Sequence, residues 1–244
     1  MTGGQSGKGF VVTLDGWWRF VLANCLAQVL PYANLIRGPV LGGQVIRSCP
    51  GARIYSTASA EVGPEQIFGP SVKNRKTTRE YNTQNLPEQR LSNLLWAAWG
   101  TNRPDSGKRT APSAVNWRET DLYASTSQGT YVYDPKGNAL IPVLPGDNRA
   151  LTYTQVERFK DAPLGLVYVA DFQKMGDRKD EEKMILASMD TGFIAQNVYL
   201  YCASENLPTG FRAAIDRENL AQGLKLRPTQ KIMAAQSVGL PKGK

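Results

Sequence analysis

The alternation of apolar and polar positions first becomes regular after residue 86. Four apolar residues follow at positions i, i+3, i+4 and i+7, which form one buried stripe on an α-helix: Leu91, Leu94, Leu95 and Ala98. Pro87 and Glu88 favour a helix start just before this stripe, because proline suits the first turn and a carboxylate there meets the positive end of the helix dipole. Gly100 is the candidate C-cap.

Short runs with strand composition follow this helix and are separated by turn residues. Residues 121–125 and 130–133 flank a Gln128-Gly129 turn and predict a β-hairpin. A third short strand is predicted near residues 139–143, after a second turn. The apolar, β-branched run 166–170 predicts a central strand. The final strand is predicted at residues 231–238.

A long proline-free stretch from Asp180 to about Asn206 predicts a helix. Its apolar residues spread around much of the helical wheel, including Met184, Ile194, Val198 and Tyr201. Such a helix has to be covered on more than one side, by the core and by a second subunit. Because helices alternate irregularly with hairpins and single strands, the order predicts an α+β domain and not a Rossmann fold.

Residues 1–63 differ in composition from the rest and form a separate N-terminal extension, whereas residues 64–244 form the predicted domain. The best apolar stretch in the extension is interrupted by Arg19 and Asn24, so no stable membrane span is expected. Two interpretations stay open: a leader peptide, with a small-residue site at residues 58–60, or a misassigned upstream start. A cytoplasmic location is favoured, and an exported form follows if the extension is a leader.

The net charge and the residue composition exclude several classes of function. The formal charge of +8 indicates anionic partners, but the cations are dispersed among acids and no aromatic-basic repeat is present, so no nucleic acid is expected. The chain has no histidine, which excludes a Ser-His-Asp triad and a histidine-ligated zinc site. Its three cysteines form no CxxC pair, so no metal site is predicted. Redox chemistry would therefore need a bound cofactor.

The densest cationic segment lies just ahead of the first predicted helix. Arg75, Lys76 and Arg79 surround the hydroxyls of Thr77 and Thr78. Guanidinium forks, an ammonium and hydroxyls together provide the donors that one phosphate group requires. The segment therefore predicts a phosphate site for a small anionic cofactor.

Four segments, in the expected order, resemble the nitroreductase-like FMN-dependent oxidoreductases. They are the cationic run 75–79 with Tyr81, the Pro-Ser-x-x-Asn element within 111–117, the helix segment 190–197, and the Val-Gly-x-Pro-Lys run 238–242. Residues 94–100 and 109–114 further resemble the subgroup of thiazoline and oxazoline dehydrogenases. The resemblance implies a mixed central sheet flanked by helices, with the long helix at a homodimer interface.

The resemblance also implies which residues bind FMN. The phosphate, ribityl and ring-edge contacts fall to Arg75, Lys76, Thr77 and Arg79. A loop that reaches the ring, commonly that of the partner subunit, comprises Pro112, Ser113 and Ala114, and Asn116 meets the pyrimidine edge. Beside the redox-active nitrogen lie Gly210, Phe211, Arg212 and Ala213. The tail contributes Lys242, with Lys244 as the other terminal candidate.

One segment departs from the family pattern. Asn206-Leu207-Pro208-Thr209-Gly210 replaces the usual Gly-Leu-(Gly/Ala)-Thr sequence. Asparagine can adopt the left-handed conformation that glycine would supply, so we expect the helix end to be retained. Pro208 and Gly210 leave the geometry of the following loop open.

The implied function is an FMN-dependent oxidoreductase that works by a ping-pong mechanism. NAD(P)H or an organic donor would deliver hydride, and a nitro, quinone or azoline-type acceptor would then enter the same open face. No side chain is required as a catalytic acid or base. The alternative is a flavin-binding protein of the same fold without turnover, for sequestration or sensing.

Overall fold

The structure is a computed structural model that describes residues 68–243. The predictions for residues 1–63, and that for Lys244, lie outside the described residues. In chain order the helices are α1 Phe68–Asn74, α2 Glu88–Trp99, α3 Val156–Phe159, α4 Asp180–Ser204 and α5 Arg217–Gly223. The strands are β1 Tyr81–Asn82, β2 Thr101–Arg103, β3 Lys108–Arg109, β4 Thr120–Ser125, β5 Gly129–Asp134, β6 Ala139–Pro145, β7 Leu164–Asp171, β8 Thr209–Arg212, β9 Gln230–Val238 and β10 Leu240–Pro241.

A six-stranded sheet in the order β6-β5-β4-β7-β9-β8 forms the centre of the fold. Every pairing recorded in it is antiparallel, including the predicted hairpin, where Tyr123 lies opposite Val132. Helices cover the sheet, so the predicted α+β class with a central sheet between helices is confirmed. The main sheet of the described residues is antiparallel, however, and not mixed as the resemblance implied. The predicted central strand, β7, and the predicted final strand, β9, lie next to each other.

β7 reads as a continuous apolar run because both of its faces are covered. All eight of its residues are buried. Leu166 and Tyr168 point into the main core beneath α2 and α4. Val167 and Val169, which alternate with them, pack under α5 in a second cluster. Side chains alternate across a strand, so only a sheet covered on both sides requires such a sequence.

Helix α2 forms where the apolar stripe predicts it. Pro87 is the N-cap, and Leu94, Leu95 and Ala98 are buried, whereas Leu91 is only partly buried. Gly100 ends the helix and its N–H donates to the Trp96 carbonyl, but in an extended conformation rather than the left-handed one. Glycine is required here for a steric reason: a Cβ at this position would lie 2.5 Å from Trp96 Cδ1.

Helix α4 has a buried face and an exposed apolar face. Ile194 and Val198 are fully buried in the core of their own subunit. Ile185, Met189 and Phe193 lie four residues apart on the opposite side and are 56%, 57% and 49% exposed. The prediction that the helix is apolar on more than one side is thus confirmed, with Ile194 and Val198 on the inner side. None of the helices within residues 68–243 is both long and apolar enough to cross a membrane.

Candidate cofactor site

A cleft of about 740 Å³ lies between the cationic segment, the end of α4 and the C-terminal tail. Four of its lining residues are cations: Lys73, Arg75, Lys76 and Lys242. The tail reaches this place because β10 pairs with β1, which puts Pro241 opposite Tyr81. The first and last sequence motifs, more than 160 residues apart in the chain, therefore meet in one cleft.

Tyr199 on α4 holds the cationic segment in position, a role that the sequence did not reveal. Its hydroxyl lies 2.9 Å from Thr77 Oγ1 and accepts a hydrogen bond of 3.0 Å from the Phe211 N–H. The Arg75 guanidinium lies 5.3 Å from its ring centroid, within the range of a cation–π contact. One side chain thus connects the cationic segment to the edge of β8.

Changing Tyr199 to phenylalanine should therefore destabilise the protein. The Phe211 N–H would lose its acceptor and Thr77 its partner, each worth about 0.5–1.5 kcal/mol. Tyr201→Phe is the matched control, because Tyr201 lies on the same helix and its hydroxyl donates a longer bond, 3.3 Å, to the Arg90 carbonyl. Chemical denaturation should show a larger loss for Tyr199→Phe. Equal losses would contradict the bridging role.

Arg79 lies outside the cleft that Arg75 and Lys76 line. Its guanidinium lies 5.9 Å from the Phe159 ring centroid and it does not line the cleft. Its Cγ lies 3.5 Å from the point where a Cβ on Gly210 would stand. Arg79 therefore lies at the β8 end of the segment, beside the residues predicted next to the ring.

Helix α4 ends as expected despite the altered sequence. Asn206 has a φ of 54°, in the left-handed region. The Leu207 N–H donates to the Cys202 carbonyl at 2.7 Å, which is the long bond of a Schellman motif. Asparagine thus replaces the usual glycine, and Asn206, Leu207 and Pro208 form one wall of the cleft.

The predicted ring-contacting strand, β8, forms an edge of the main sheet. Arg212 is only 7% exposed and donates to the Thr152 carbonyl and to Ser237 Oγ. Burial lowers its pKa to about 10, so it stays charged at neutral pH. Its side chain is committed to the core, and any contact with a cofactor would come from its backbone. Gly210 is buried as well, and Ala213 is exposed.

The loop of residues 112–118 is strained and tied to α4. Val115, Asn116 and Arg118 all have positive φ values, of 50°, 58° and 52°. Such conformations cost about 1–3 kcal/mol each and persist only where the surroundings impose them. Ser113 Oγ accepts from the Arg118 N–H at 3.0 Å, and Asp190 Oδ2 accepts from the Ala114 N–H at 2.8 Å. The loop, Pro112 included, does not line the cleft of its own subunit.

Comparison with known proteins agrees with the motifs. Residues 72–240 match the Nitroreductase family. MJ1384 of Methanocaldococcus jannaschii, named as a nitroreductase, is 26% identical over 162 residues, which cover 63% of this chain and 81% of that protein. A crystal structure of a nitroreductase homologue from Ralstonia eutropha JMP134 is 31% identical with a TM-score of 0.73, and the match covers 85% of this chain and 99% of the other.

A more distant structure carries a ligand. A nitroreductase homologue from Desulfovibrio desulfuricans was solved in complex with FMN. It is 16% identical, with a TM-score of 0.54 over 74% of this chain and 89% of the other, so it supports the fold alone. The family match, in contrast, spans more than half of the sequence. This chain belongs to the nitroreductase family.

Proposed function

We propose that this protein is an FMN-dependent oxidoreductase that uses NAD(P)H or an organic donor and a small organic acceptor. The observation that carries the proposal is the cleft into which the cationic segment and the tail both project. Arg75, Lys76 and Lys242 all line it, although they come from opposite ends of the domain sequence. The choice of FMN as cofactor follows from the sequence motifs and the family match.

The cleft fits FMN in size and in charge. Its volume of about 740 Å³ lies in the range of small-molecule sites. Its lining carries four cations and one carboxylate, Glu80. The excess of positive charge suits a dianionic phosphate, with Arg75 able to form a bidentate contact. The buried wall formed by Leu207, Pro208 and Thr209 offers the less polar surface that a flat ring requires.

The second side of the ring site would come from a second subunit. The strained 112–118 loop lies outside the cleft of its own subunit, and α4 presents an exposed apolar face. Exposed apolar patches of this kind mark interfaces. In a homodimer, Pro112, Ser113, Ala114 and Asn116 would complete the neighbour's flavin site.

The protein's own residues bind and orient and do not transfer protons. FMN, when bound, supplies two-electron chemistry between a donor and an acceptor that use one open face in turn. The cations at Arg75, Lys76 and Lys242 would hold the phosphate. The backbone of β8 would lie beside the ring, and Tyr199 keeps the cationic segment and β8 together.

One observation supports the alternative of flavin binding without turnover. The Phe211 N–H at the outer edge of β8 is already bonded to Tyr199 Oη. In the arrangement implied by the family, a backbone N–H of this strand bonds the redox-active nitrogen. If the Phe211 N–H stays bonded to Tyr199, the protein would bind flavin, but this N–H would not alter the redox reactivity of the ring.

Anaerobic reduction distinguishes the two functions. The FMN-loaded protein should lose the visible absorption band of oxidised flavin when NADH or NADPH is added, and should regain it with nitroaromatic, quinone or azoline acceptors. A band that persists with every donor would favour sequestration or sensing. The same donor panel decides between NADH and NADPH.

Removing residues 1–63 should leave flavin binding intact. All four motifs and the whole family match lie beyond this segment. A chain that begins at Pro64 should therefore fold, dimerise and bind FMN with the affinity of the full chain, as measured by circular dichroism and flavin fluorescence. Loss of folding or of flavin would contradict the proposed domain boundary.

A further inference from the structure

Two buried carboxyl groups meet beneath the 112–118 loop. Glu119 is fully buried at the end of the loop, and Asp190 on α4 is 3% exposed. Asp190 is near enough to Glu119 to act on it as a neighbouring carboxyl group. Asp190 Oδ2 also accepts the Ala114 N–H at 2.8 Å, so this pair connects the loop to the long helix.

The hydrogen bonds around Glu119 indicate where a proton lies. Thr120 Oγ1 lies 3.3 Å from Oε1, whereas Oε2 is buried and has no donor among the described residues. A buried carboxylate oxygen without a donor is strongly disfavoured. Because Asp190 is a neighbouring carboxyl, a proton on Glu119 would remove both the missing bond and the like-charge repulsion.

The charged groups around the pair offer little compensation. Arg118, next in the chain, donates to the Gly107 carbonyl. Arg178 stacks 5.3 Å from the Trp117 ring centroid, and Asp171 on β7 meets Glu119 through its backbone N–H while its carboxylate pairs with Arg227. Burial, with a smaller contribution from Asp190, raises the pKa of Glu119 to about 7, although hydrogen bonds from its own backbone N–H and from Thr120 act in the opposite direction.

We infer that a proton on Glu119 clamps the 112–118 loop through Asp190, and that loss of this proton releases the loop from α4. Glu119 is a positioning residue that acts through Asp190 and the Ala114 N–H. The consequence for flavin rests on the proposed function, in which this loop completes the neighbour's flavin site. FMN affinity should then fall as pH rises through 7.

The direction of this pH dependence follows from proton linkage. A glutamate in the released loop titrates near its ordinary pKa of about 4.3, well below its value in the clamped loop. The clamped form therefore binds more protons between these values, and its advantage declines as pH rises toward 7. Each unit by which the pKa of Glu119 differs between the clamped and the released loop changes the ratio of their populations by up to tenfold.

The test compares the native full-length protein with Glu119→Gln, and with Asp121→Asn as a matched loss of one carboxylate from the same region. Infrared spectra of flavin-free protein should show a protonated carboxylic acid that titrates near pH 7 and is absent in Glu119→Gln. Hydrogen exchange at Ala114, corrected for intrinsic rate, should rise about tenfold between pH 6 and 8 in the native protein. Glu119→Gln should remove this rise and Asp121→Asn should retain it.

A second variant keeps the inference testable if Glu119→Gln folds poorly. Asp190→Asn removes the like charge, so the infrared titration of Glu119 should move to lower pH. An unchanged pH profile in Glu119→Gln, or no titrating acid band in the native protein, would overturn the clamp. If the native protein binds no FMN at any pH while these changes occur as described, the clamp is supported and the proposed function fails.

Discussion

Replacing Arg75 with alanine should leave a folded protein that has lost most of its affinity for FMN. Arg75 is exposed beyond the end of α1 and lines the cleft, so its removal disturbs no core contact. A lost hydrogen bond to a charged group costs about 1.5–3 kcal/mol, or roughly 10- to 150-fold in the dissociation constant. Titration of flavin-free protein, followed by quenching of flavin fluorescence, measures this change.

Arg90→Ala is a suitable control for Arg75→Ala. Arg90 is also a partly exposed arginine, and its only ion pair is a 3.8 Å contact with Glu205 within the described residues. It does not line the cleft, so its removal should leave FMN affinity within about twofold, as expected for a surface pair worth less than 1 kcal/mol. A full complement of FMN in purified Arg75→Ala would reject the phosphate assignment.

A negative charge on the outer face of α4 should dissociate the subunits and release FMN together. Ile185→Glu and Phe193→Glu each place a carboxylate where the apolar face would be covered by the partner. Burying such a group without a partner costs at least about 2 kcal/mol. Sedimentation with simultaneous detection of flavin absorbance would follow both losses in one experiment.

Ile141→Glu provides the matched control for this surface. Ile141 is 50% exposed on the edge strand β6, close to the 56% of Ile185, but lies outside α4. The Ile141→Glu substitution should leave both subunit association and FMN content unchanged. A charge at Ile194 or Val198 would instead unfold the subunit, because both side chains are fully buried in its own core. A monomeric Ile185→Glu protein that keeps all of its FMN would contradict a shared site.

Local sequence patterns predicted most of the fold because they depend on nearby residues. The α2 stripe and the apolar run of β7 each require a particular periodicity, and both elements form where the pattern placed them. The left-handed Asn206 was also predictable, since its conformation follows from the residue type and the helix end.

The contacts that build the site depend on pairs distant in the chain, and periodicity carries no information about them. Thr77 and Tyr199 are 122 residues apart, and Ala114 and Asp190 are 76 apart. A tyrosine in a predicted helix gives no sign that it will bridge two other segments. Glu119 likewise reads as an ordinary polar residue before a strand, and its burial follows only from the packing of α4.

Arg212 shows how a resemblance and a structure can differ for one side chain. The resemblance to the family implies that it lies beside the redox-active nitrogen of the ring. Its guanidinium instead satisfies the Thr152 carbonyl and Ser237 inside the core. These bonds hold the side chain inside the core, so the prediction for this position remains only for its backbone.

Riboflavin is FMN without its phosphate, so its affinity shows whether the cleft binds the phosphate of a flavin. Flavin-free native protein should bind FMN at least tenfold more tightly than riboflavin, a difference of about 1.4 kcal/mol or more. In Arg75→Ala this preference should shrink toward unity, with riboflavin affinity nearly unchanged. Equal affinities of the native protein for FMN and riboflavin would contradict the account.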